Sequence, residues 1–442
     1  MRVSCGALIW LAIALTAWSG AVIAGRQNRI DVVTPNAPEL AAFGTDAIGV
    51  RTITVVDRNR PDILNTKEGG PTARYDRPLI LEIWYPAALA AGQHAGGVYQ
   101  VVTRDPKIHA TLSGQAVRDA APQTSDRPFP LVIISHGYPG DRFLLSHLGE
   151  NLASKGYVVV SIDHTDSTYV DQKAFASTLY NRPLDQLFVL AEIDRLSRAT
   201  EPSQFLRGLV DARRTGIVGY SMGGYGAVNA IGGGFSATSE TFRGAPPNHL
   251  LAERGAANPT YRDTVDSRIK AAVAIGPWGM QLGFWDLAGL RGIRTPVLFV
   301  AGSVDDVSGY EKGTRAIFEG TVNADRYLLT FLGANHNAAA PHPAPVEVLG
   351  VDASSAYAHY ADAVWDTTRM NNILQHFVTA HFDRYLKGDA GKAAYFDVVP
   401  NGKDAVWAIG ADGAPQAAHT YWKGFKRGTA VGLVLEHRRA GE

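Results

Sequence analysis

Residues 215–230 read Thr-Gly-Ile-Val-Gly-Tyr-Ser-Met-Gly-Gly-Tyr-Gly-Ala-Val-Asn-Ala. A short apolar run precedes the serine, and a stretch rich in small residues follows it. Gly219 and Gly223 flank Ser221 in a Gly-x-Ser-x-Gly pattern. Glycines at these positions let the neighbouring backbone approach a serine held in a strained turn. The pattern alone arises easily by chance, but its flanks predict a strand before Ser221 and a helix after it, the setting in which such a serine is presented to substrate.

Short, nearly continuous apolar runs recur from Pro130 onward, separated by helix-like stretches. Continuous apolarity indicates strands buried on both faces, as in a parallel sheet covered by helices. The runs are Leu131–Ile134, Tyr157–Ile162, Gly216–Val218, Ala271–Ile275, Val297–Val300 and Tyr327–Leu332, and the helical stretches are Leu144–Lys155, Gln186–Leu196 and Gly223–Ile231. Their alternation predicts a doubly wound, mostly parallel α/β sheet. Upstream, Ile48–Val56 and Pro78–Tyr85 alternate and predict an antiparallel, hairpin-like start with a long connection.

A serine hydroxyl is a poor nucleophile unless a base removes its proton. Of the 13 histidines, His336 follows the last apolar run, in the loop that leaves the carboxyl end of the predicted strand. Ligands bind at that end of the strands in open α/β sheets, so we predict His336 as the base. His342 and His359 lie downstream and are weaker alternatives.

An acid must orient and charge-balance the imidazole of such a base. Asp305 and Asp306 stand side by side just past the run Val297–Val300, which gives the order Ser, Asp, His along the chain. We favour Asp305 because of its spacing from Gly302, and Asp306 is the alternative.

A tetrahedral intermediate carries an oxyanion that needs fixed hydrogen-bond donors. The backbone N–H of Met222 is the first predicted donor, because it follows the nucleophile. The second should come from the loop after Leu131–Ile134, where Tyr138 N–H is favoured and Pro139 cannot donate. His136 in the same loop is predicted to make structural hydrogen bonds.

Two other groups of residues have competing interpretations. Asp163, His164, Asp166 and Asp171 resemble a metal site in residue type, but no metal-binding spacing accompanies them, so we expect hydrogen-bonding roles and no metal. The aromatic residues Trp278, Trp285 and Tyr138 could form apolar walls of a substrate pocket, or they could be ordinary core residues.

The N-terminus predicts an export signal. Arg2 precedes the apolar run Ala7–Leu15, and Val22–Ala24 fits a cleavage site after Ala24. Residues 1–24 would then be removed, leaving no membrane span in the mature chain, although a retained anchor is the competing interpretation. The only cysteine, Cys5, lies inside this segment, so the mature chain can form no disulfide. We therefore predict an exported protein, periplasmic or secreted.

The remaining 25–442 are predicted to form one domain, since 442 residues suit an α/β domain with insertions. Basic and acidic residues balance at 42 each, so no charge excess indicates a nucleic-acid partner. Residues 232–268 form a long polar insertion, either a lid over the site or a surface excursion. Residues 397–442 contain two strand-like runs, Ala405–Ile409 and Gly432–His437, which would extend the sheet or pair with the N-terminal hairpin.

Three segments together resemble a known family: 135–140 (Ser-His-Gly-Tyr-Pro-Gly), 156–164, and 219–224. They are similar to bacterial α/β-hydrolases, above all to the group of predicted dienelactone hydrolases related to platelet-activating-factor acetylhydrolase. The resemblance spans roughly residues 48–390. It implies the α/β-hydrolase fold, a triad of Ser221, Asp305 and His336, an oxyanion hole at Tyr138 and Met222, no cofactor, and hydrolysis of small or short-acyl esters. True dienelactone hydrolases carry cysteine where this chain has Ser221, so the lactone activity is not carried over.

The resulting hypothesis is a serine hydrolase that cleaves small carboxylic esters through an acyl-enzyme on Ser221. Lipid esters and polyesters are sub-cases that the sequence does not separate. The same triad could instead cleave an amide or transfer an acyl group, and a non-catalytic binding protein on this scaffold is a third alternative. The expected partner is a small-molecule ester, and the oligomeric state is left open.

Overall fold

The computed structural model describes residues 28–199, 205–350 and 356–442, and most of its strands belong to one mixed sheet. The strands are β1 (Ala47–Pro61), β2 (Arg74–Ala88), β3 (Val98–Val102), β4 (His109–Ser113), β5 (Val117–Arg118), β6 (Ala121–Pro122), β7 (Phe129–Ser135), β8 (Val158–Asp163), β9 (Val210–Tyr220), β10 (Ile269–Ile275), β11 (Val297–Gly302), β12 (Arg326–Phe331) and β13 (Leu433–Arg438). The main path runs β13-β12-β11-β10-β9-β7-β8-β2-β1-β5, with β6 on β2, and β3 pairs β4 separately. Strands β7 to β12 are mutually parallel, as predicted.

Helices cover both faces of this sheet. They are α1 (Ser146–Ala153), α2 (Phe175–Ser197), α3 (Met222–Ala230), α4 (Leu287–Leu290), α5 (Ala316–Gly320) and α6 (Thr367–Leu386). Short 3₁₀ turns occupy Glu39–Ala41, Ala237–Thr241, Leu250–Arg254, Tyr261–Thr264, Met280–Leu282, Val346–Val348, Tyr357–His359, Ala390–Tyr395 and Gly402–Asp404, and a π turn occupies Tyr310–Arg315. Helices α1 and α6 share one hydrophobic core with alternate strand residues, and α2 to α5 share the other. Burial on both faces explains why the central strands read as unbroken apolar runs.

The two ends of the chain add antiparallel strands to this sheet. Strands β1 and β2 form the predicted antiparallel pair, and β2 continues antiparallel to β8. The predicted strand Gly432–His437 is present as β13, which pairs with β12 and not with the N-terminal hairpin.

The predicted strand Ala405–Ile409 is wrong. Its only ladder contact among the described residues is an isolated bridge between Ile409 and Pro415. Strand β13 is the edge strand of the sheet, but this segment does not extend it: its backbone turns back on itself, and the Gln416 N–H donates to the Ala408 carbonyl at 3.0 Å. Its exposed apolar residues instead pack locally, with Trp407 against His419 and Tyr421.

The order of the strands reverses around β7. The chain passes from β7 to β8 on one side and then returns to β9 on the other side. Loops that leave neighbouring strands at such a reversal diverge and open a crevice, where ligands bind in this kind of sheet. The segments around Tyr138 and Ser221 follow β7 and β9, so the topology places them at this crevice.

No helix in the described part of the chain is long and apolar enough to cross a membrane. The predicted signal at residues 1–24 lies outside the described residues.

Helix α2 is tied to the hairpin by a buried ion pair. The Arg77 guanidinium donates two hydrogen bonds of 2.9 Å to Asp185, and the two side chains are 1% and 0% exposed. Burial alone would raise the pKa of Asp185, but Arg77 and a hydrogen bond from His164 outweigh it and hold that pKa far below its ordinary value. The pair therefore contributes stability at neutral pH that is lost as the pH falls through and below the ordinary carboxyl range.

We expect Asp185→Asn to lower the free energy of unfolding by about 3 kcal/mol, because it leaves a buried guanidinium without its main counter-charge. The loss stays at the lower end of the usual range because Asp166 still lies 3.2 Å from Arg77. Chemical denaturation measures it, with Asp76→Asn as the matched control. Asp76 also pairs with an arginine, Arg58, but at the surface, where a pair contributes less than about 1 kcal/mol. Equal losses of unfolding free energy in Asp185→Asn and Asp76→Asn would contradict the conclusion that the buried ion pair of Arg77 and Asp185 stabilises the fold.

Candidate active site

Ser221 occupies a strained turn between β9 and α3. Its backbone angles are φ 53° and ψ −112°, a conformation that costs a non-glycine residue energy and that clusters at functional sites. A Cβ placed on Gly219 would lie 2.1 Å from the carbonyl oxygen of Gly223, and one on Gly223 would lie 1.9 Å from that of Ser135. Only glycine fits at both positions, which explains the Gly-x-Ser-x-Gly spacing in steric terms.

His336 and Asp305 form a hydrogen-bonded pair in the loops after β12 and β11. Nδ1 of His336 lies 2.9 and 3.0 Å from the two carboxylate oxygens of Asp305. The ionised carboxylate can only accept, so Nδ1 carries the proton and Nε2 is left as the basic nitrogen. Asp306, the alternative acid, is exposed and does not contact the imidazole in the described structure.

Asp305 remains ionised because its hydrogen bonds outweigh its burial. Burial would raise its pKa, but the imidazole of His336 and the backbone N–H groups of Val307 and Ser308 lower it below the ordinary value. These two N–H groups donate to Oδ1 at 2.9 and 2.8 Å. Gly276 makes the approach possible, since a Cβ there would stand 3.2 Å from both the carboxylate of Asp305 and the ring of His336.

The two predicted oxyanion donors flank the serine. Met222 is the first residue of α3, so its N–H has no partner within the helix. The N–H of Tyr138 likewise makes no hydrogen bond within the described residues. A Cβ on Gly137 would lie 3.3 Å from Cβ of Ser221, so the loop that carries Tyr138 abuts the serine directly. The structure thus brings Ser221, Met222 and Tyr138 together at one point.

The alternative bases are engaged elsewhere. Nε2 of His359 bonds to the hydroxyl of Tyr169 at 2.7 Å, and Nδ1 of His342 bonds to the carbonyl of Pro343 at 2.8 Å. Burial lowers the pKa of His359 to about 3 and that of His342 to about 4, so both stay neutral.

The acidic and histidine residues at the end of β8 and just after it serve as hydrogen-bond partners. Asp163 accepts from Arg142, and His164 lies between Ser135 and Asp185 at 2.8 and 2.9 Å. Within residues 28–199, 205–350 and 356–442, no group of three or more His, Cys, Asp or Glu side chains is placed to hold a metal ion.

A cluster of aromatic rings surrounds Trp278, whose backbone contacts Ser221. Trp278 donates its backbone N–H to the Ser221 carbonyl at 3.2 Å, and its half-buried ring contacts Phe175 and Phe242 with centroid distances of 5.1 and 5.9 Å. Phe175 also contacts the ring of Tyr138, at 5.0 Å. Sequence reasoning missed Phe175 and Phe242, because neither lies in a motif. Trp285 is an ordinary core residue, the other interpretation open from the sequence: it is 2% exposed, and its indole N–H donates to the Gly233 carbonyl.

These strands, the reversal at β7 and the position of the serine turn are those of the α/β-hydrolase fold, and the chain has that fold. Residues 93–237 match the family model described as PETase, PET hydrolase-like. Cutinase est2 of Thermobifida alba is 24% identical over 206 residues, which are 46% of this chain and 52% of that protein. Bis(hydroxyethyl) terephthalate hydrolase of Streptomyces coelicolor is 25% identical over 214 residues, 48% of this chain and 52% of that protein.

The curated relatives are therefore matched over about half of their length. Among solved structures, a ferulic acid esterase from Streptomyces cinnamoneus superimposes with a TM-score of 0.52 at 23% identity, covering 80% of this chain and 94% of that chain. This likeness shows the fold. Taken together, the family-model match, the curated relatives and this fold likeness confirm the α/β-hydrolase resemblance drawn from the sequence motifs.

Proposed function

We propose that this chain is a serine hydrolase of carboxylic esters that acts through an acyl-enzyme on Ser221. The observation that carries the proposal is the Asp305–His336 hydrogen bond, which leaves a basic imidazole nitrogen in the loop after β12 at the carboxyl edge of the sheet, the edge that also presents Ser221. A serine in a strained turn, a base and an orienting acid are the parts that acyl transfer needs.

In the proposed reaction, His336 Nε2 accepts the Ser221 proton as Oγ attacks the ester carbonyl. The carbonyl oxygen becomes an oxyanion that accepts hydrogen bonds from the N–H groups of Tyr138 and Met222. The imidazolium, stabilised by ionised Asp305, then donates its proton to the leaving alcohol. A water activated by the same imidazole releases the acid and restores Ser221. No cofactor takes part in these steps.

Aromatic and small esters fit the surroundings of Ser221 best. The ring of Phe175 contacts the rings of both Tyr138 and Trp278, and together the three rings offer an apolar wall beside the reacting carbonyl. Relatives whose names refer to cutinase, terephthalate-ester and ferulate-ester activities support an ester substrate, small or polymeric. We further propose that the protein is exported, to the periplasm or the medium, in line with the signal predicted at residues 1–24.

We propose that the insertion at 232–268 acts as a fixed wall of the substrate cleft. Phe235 stacks on Tyr225 at 5.0 Å, and Phe242 contacts Trp278. Arg254 and Asn229 bind the insertion to α3, with the Asn229 amide donating to the Arg254 carbonyl at 3.2 Å. These anchors favour a wall over a mobile lid.

Phe242→Ala should therefore widen the accepted acyl range. We expect kcat/KM for longer p-nitrophenyl esters to rise about tenfold relative to the acetate, since a few buried methylene groups contribute differences of this size. The ratio of kcat/KM values across acyl lengths measures the effect. Phe318→Ala, which removes a buried ring of α5, is the matched control and should leave the ratio unchanged. An unchanged ratio in Phe242→Ala would contradict the proposal that the insertion forms a wall of the substrate cleft.

The test of the function is hydrolysis of p-nitrophenyl esters over a range of acyl lengths by the protein from Gly25 onward. Turnover of any of these esters supports the proposal, and the profile sizes the acyl pocket. Folded protein that hydrolyses none of them but cleaves the matching anilides, or transfers the acyl group to an added alcohol, would overturn it in favour of an amidase or acyltransferase.

A further inference from the structure

The two N–H groups proposed for the oxyanion hole belong to peptide units whose carbonyls are each held by two donors. The Ser221 carbonyl, in the unit that carries Met222 N–H, accepts from the N–H groups of Tyr225 at 2.9 Å and Trp278 at 3.2 Å. The Gly137 carbonyl, in the unit that carries Tyr138 N–H, accepts from His136 Nδ1 at 2.7 Å and from Arg182 Nη2 at 3.3 Å. A peptide unit is planar, so fixing its carbonyl fixes the direction of its N–H.

Arg182 reaches this peptide from the buried side of the loop. Its side chain is 1% exposed, and its guanidinium also donates to the His136 carbonyl and to the Ser167 hydroxyl. All its hydrogen bonds in the described chain thus go to carbonyl and hydroxyl oxygens and none to a carboxylate. Burial lowers the pKa of Arg182 to about 9, which still leaves it charged at neutral pH. A positive charge therefore lies directly behind the Gly137–Tyr138 peptide.

His136 supplies the second donor in a defined protonation state. Its Nε2 accepts the backbone N–H of His164 at 3.3 Å, so its single ring proton is on Nδ1, which faces the Gly137 carbonyl. Burial and the nearby charge of Arg182 lower the pKa of His136 well below its ordinary value and keep the ring neutral.

Helix α2 carries Arg182 to this position through a close contact with α3. A Cβ on Gly226 of α3 would lie 2.8 Å from Cγ of Arg182 and 2.7 Å from Nε2 of Gln186. Gln186, one turn after Arg182, donates to the Gly223 carbonyl at 2.9 Å, in the first turn of α3. One helix therefore braces both backbone segments that flank Ser221.

We propose that Arg182 is a positioning residue for ester hydrolysis: it aims and polarises the Tyr138 N–H through the Gly137 carbonyl. The inference rests on the proposed function. A hydrogen bond at the carbonyl end of a peptide strengthens the donor at its other end, and the buried charge favours an oxyanion beyond it. Arg182 does not touch the substrate, so its contribution should be specific to the charged tetrahedral state.

The experiment compares Arg182→Met and Arg182→Lys with the wild-type protein and with Arg326→Met. Arg326 is the matched control: it is 3% exposed, and its guanidinium also donates to backbone carbonyls, such as Phe318 O at 2.7 Å. It lies at the amino end of β12, whereas the proposed site is at the carboxyl ends of the strands. Folding is checked by circular dichroism and thermal unfolding. Steady-state kinetics on p-nitrophenyl butyrate give kcat and KM, and the inhibition constant of phenylboronic acid reports the tetrahedral state.

We expect Arg182→Met to lower kcat about 10- to 100-fold, less than or similar to the loss of one oxyanion donor, with KM changed less than about threefold. The inhibition constant of the boronic acid should rise by a similar factor as kcat/KM falls. Arg182→Lys, which keeps the charge but loses the planar fork of donors, should fall between Arg182→Met and wild type, and Arg326→Met should keep kcat within about twofold of wild type.

Folded Arg182→Met with wild-type kcat, a change in KM alone, or an equal kcat loss in Arg326→Met would overturn the inference and leave the esterase proposal standing. If Arg182→Met does not fold, Arg182→Lys decides, and wild-type kcat in that variant overturns the inference. Wild-type protein that hydrolyses no ester would overturn the proposed function, and the inference with it.

Discussion

Replacing Ser221 with alanine lowers kcat for p-nitrophenyl ester hydrolysis by about 10⁵-fold or more, because removing the nucleophile abolishes the acyl-enzyme route. The remaining rate comes from substrate binding and the oxyanion donors alone. KM should change little, since the removed hydroxyl contributes mainly after binding. The fold should persist because alanine occupies no more space than serine in the turn between β9 and α3.

Ser236→Ala is the matched control for this prediction. Ser236, in the insertion, is about as buried as Ser221, at 7% against 8% exposed, and its hydroxyl donates to the Gly283 carbonyl outside the insertion. We expect its kcat to stay within about threefold of wild type, as for an ordinary loss of one neutral hydrogen bond away from the reacting atoms. Hydrolysis that survives in Ser221→Ala would mean that another group attacks the ester.

Asp305→Asn should lower kcat about 10⁴-fold at neutral pH, whereas Asp306→Asn should leave it within about threefold of wild type. An amide at position 305 can donate to His336 Nδ1, which would move the ring proton to Nε2 and remove the base. Asp306 is the adjacent carboxylate of the same loop, but it is exposed and does not contact the imidazole in the described structure. The two aspartates therefore match in charge and in chain position, and they differ in whether the carboxylate reaches the imidazole of His336.

Initial rates measured across pH with both variants check this assignment. Asp305 has a pKa below the ordinary carboxyl value, so it is ionised throughout the neutral range and its contribution is lost only as acid protonates it. Wild-type activity should therefore keep the contribution of Asp305 across the neutral range, whereas Asp305→Asn, which has no carboxyl group to ionise, should lack that contribution at every pH. A large loss in Asp306→Asn together with a small loss in Asp305→Asn would reverse the choice of acid.

The central strands and the serine turn could be predicted because their signals are local. Burial on both faces produces continuous apolar runs, and a strained serine turn requires glycines at fixed spacing, so β7 to β12 and the turn at Ser221 could be read from the chain. The order Ser, Asp, His of the candidate catalytic residues could likewise be predicted from the sequence. The choice of Asp305 over Asp306 could not be settled by sequence, because both follow β11 and only the loop geometry decides which one reaches His336.

Contacts between distant segments could not be predicted. Arg182 lies 45 residues from the carbonyl it holds, in a helix whose sequence carries no motif. Phe175 and Phe242 reach Trp278 from two different segments for the same reason. The error at Ala405–Ile409 has a similar origin: the segment has strand-like composition, but its backbone bonds to Gln416 and Thr420 and not to the edge strand β13.

The most direct test of the account is to trap the acyl-enzyme. Wild-type protein from Gly25 onward is mixed with p-nitrophenyl butyrate, quenched in acid during the first turnover, and analysed by peptide mass spectrometry beside Ser221→Ala. We predict one butyryl group, on Ser221, in the wild type and none in the variant. A butyryl group on another residue, equal labelling of both proteins, or ester hydrolysis by wild type with no acylated Ser221 at any quench time would contradict the assignment of Ser221 as the nucleophile.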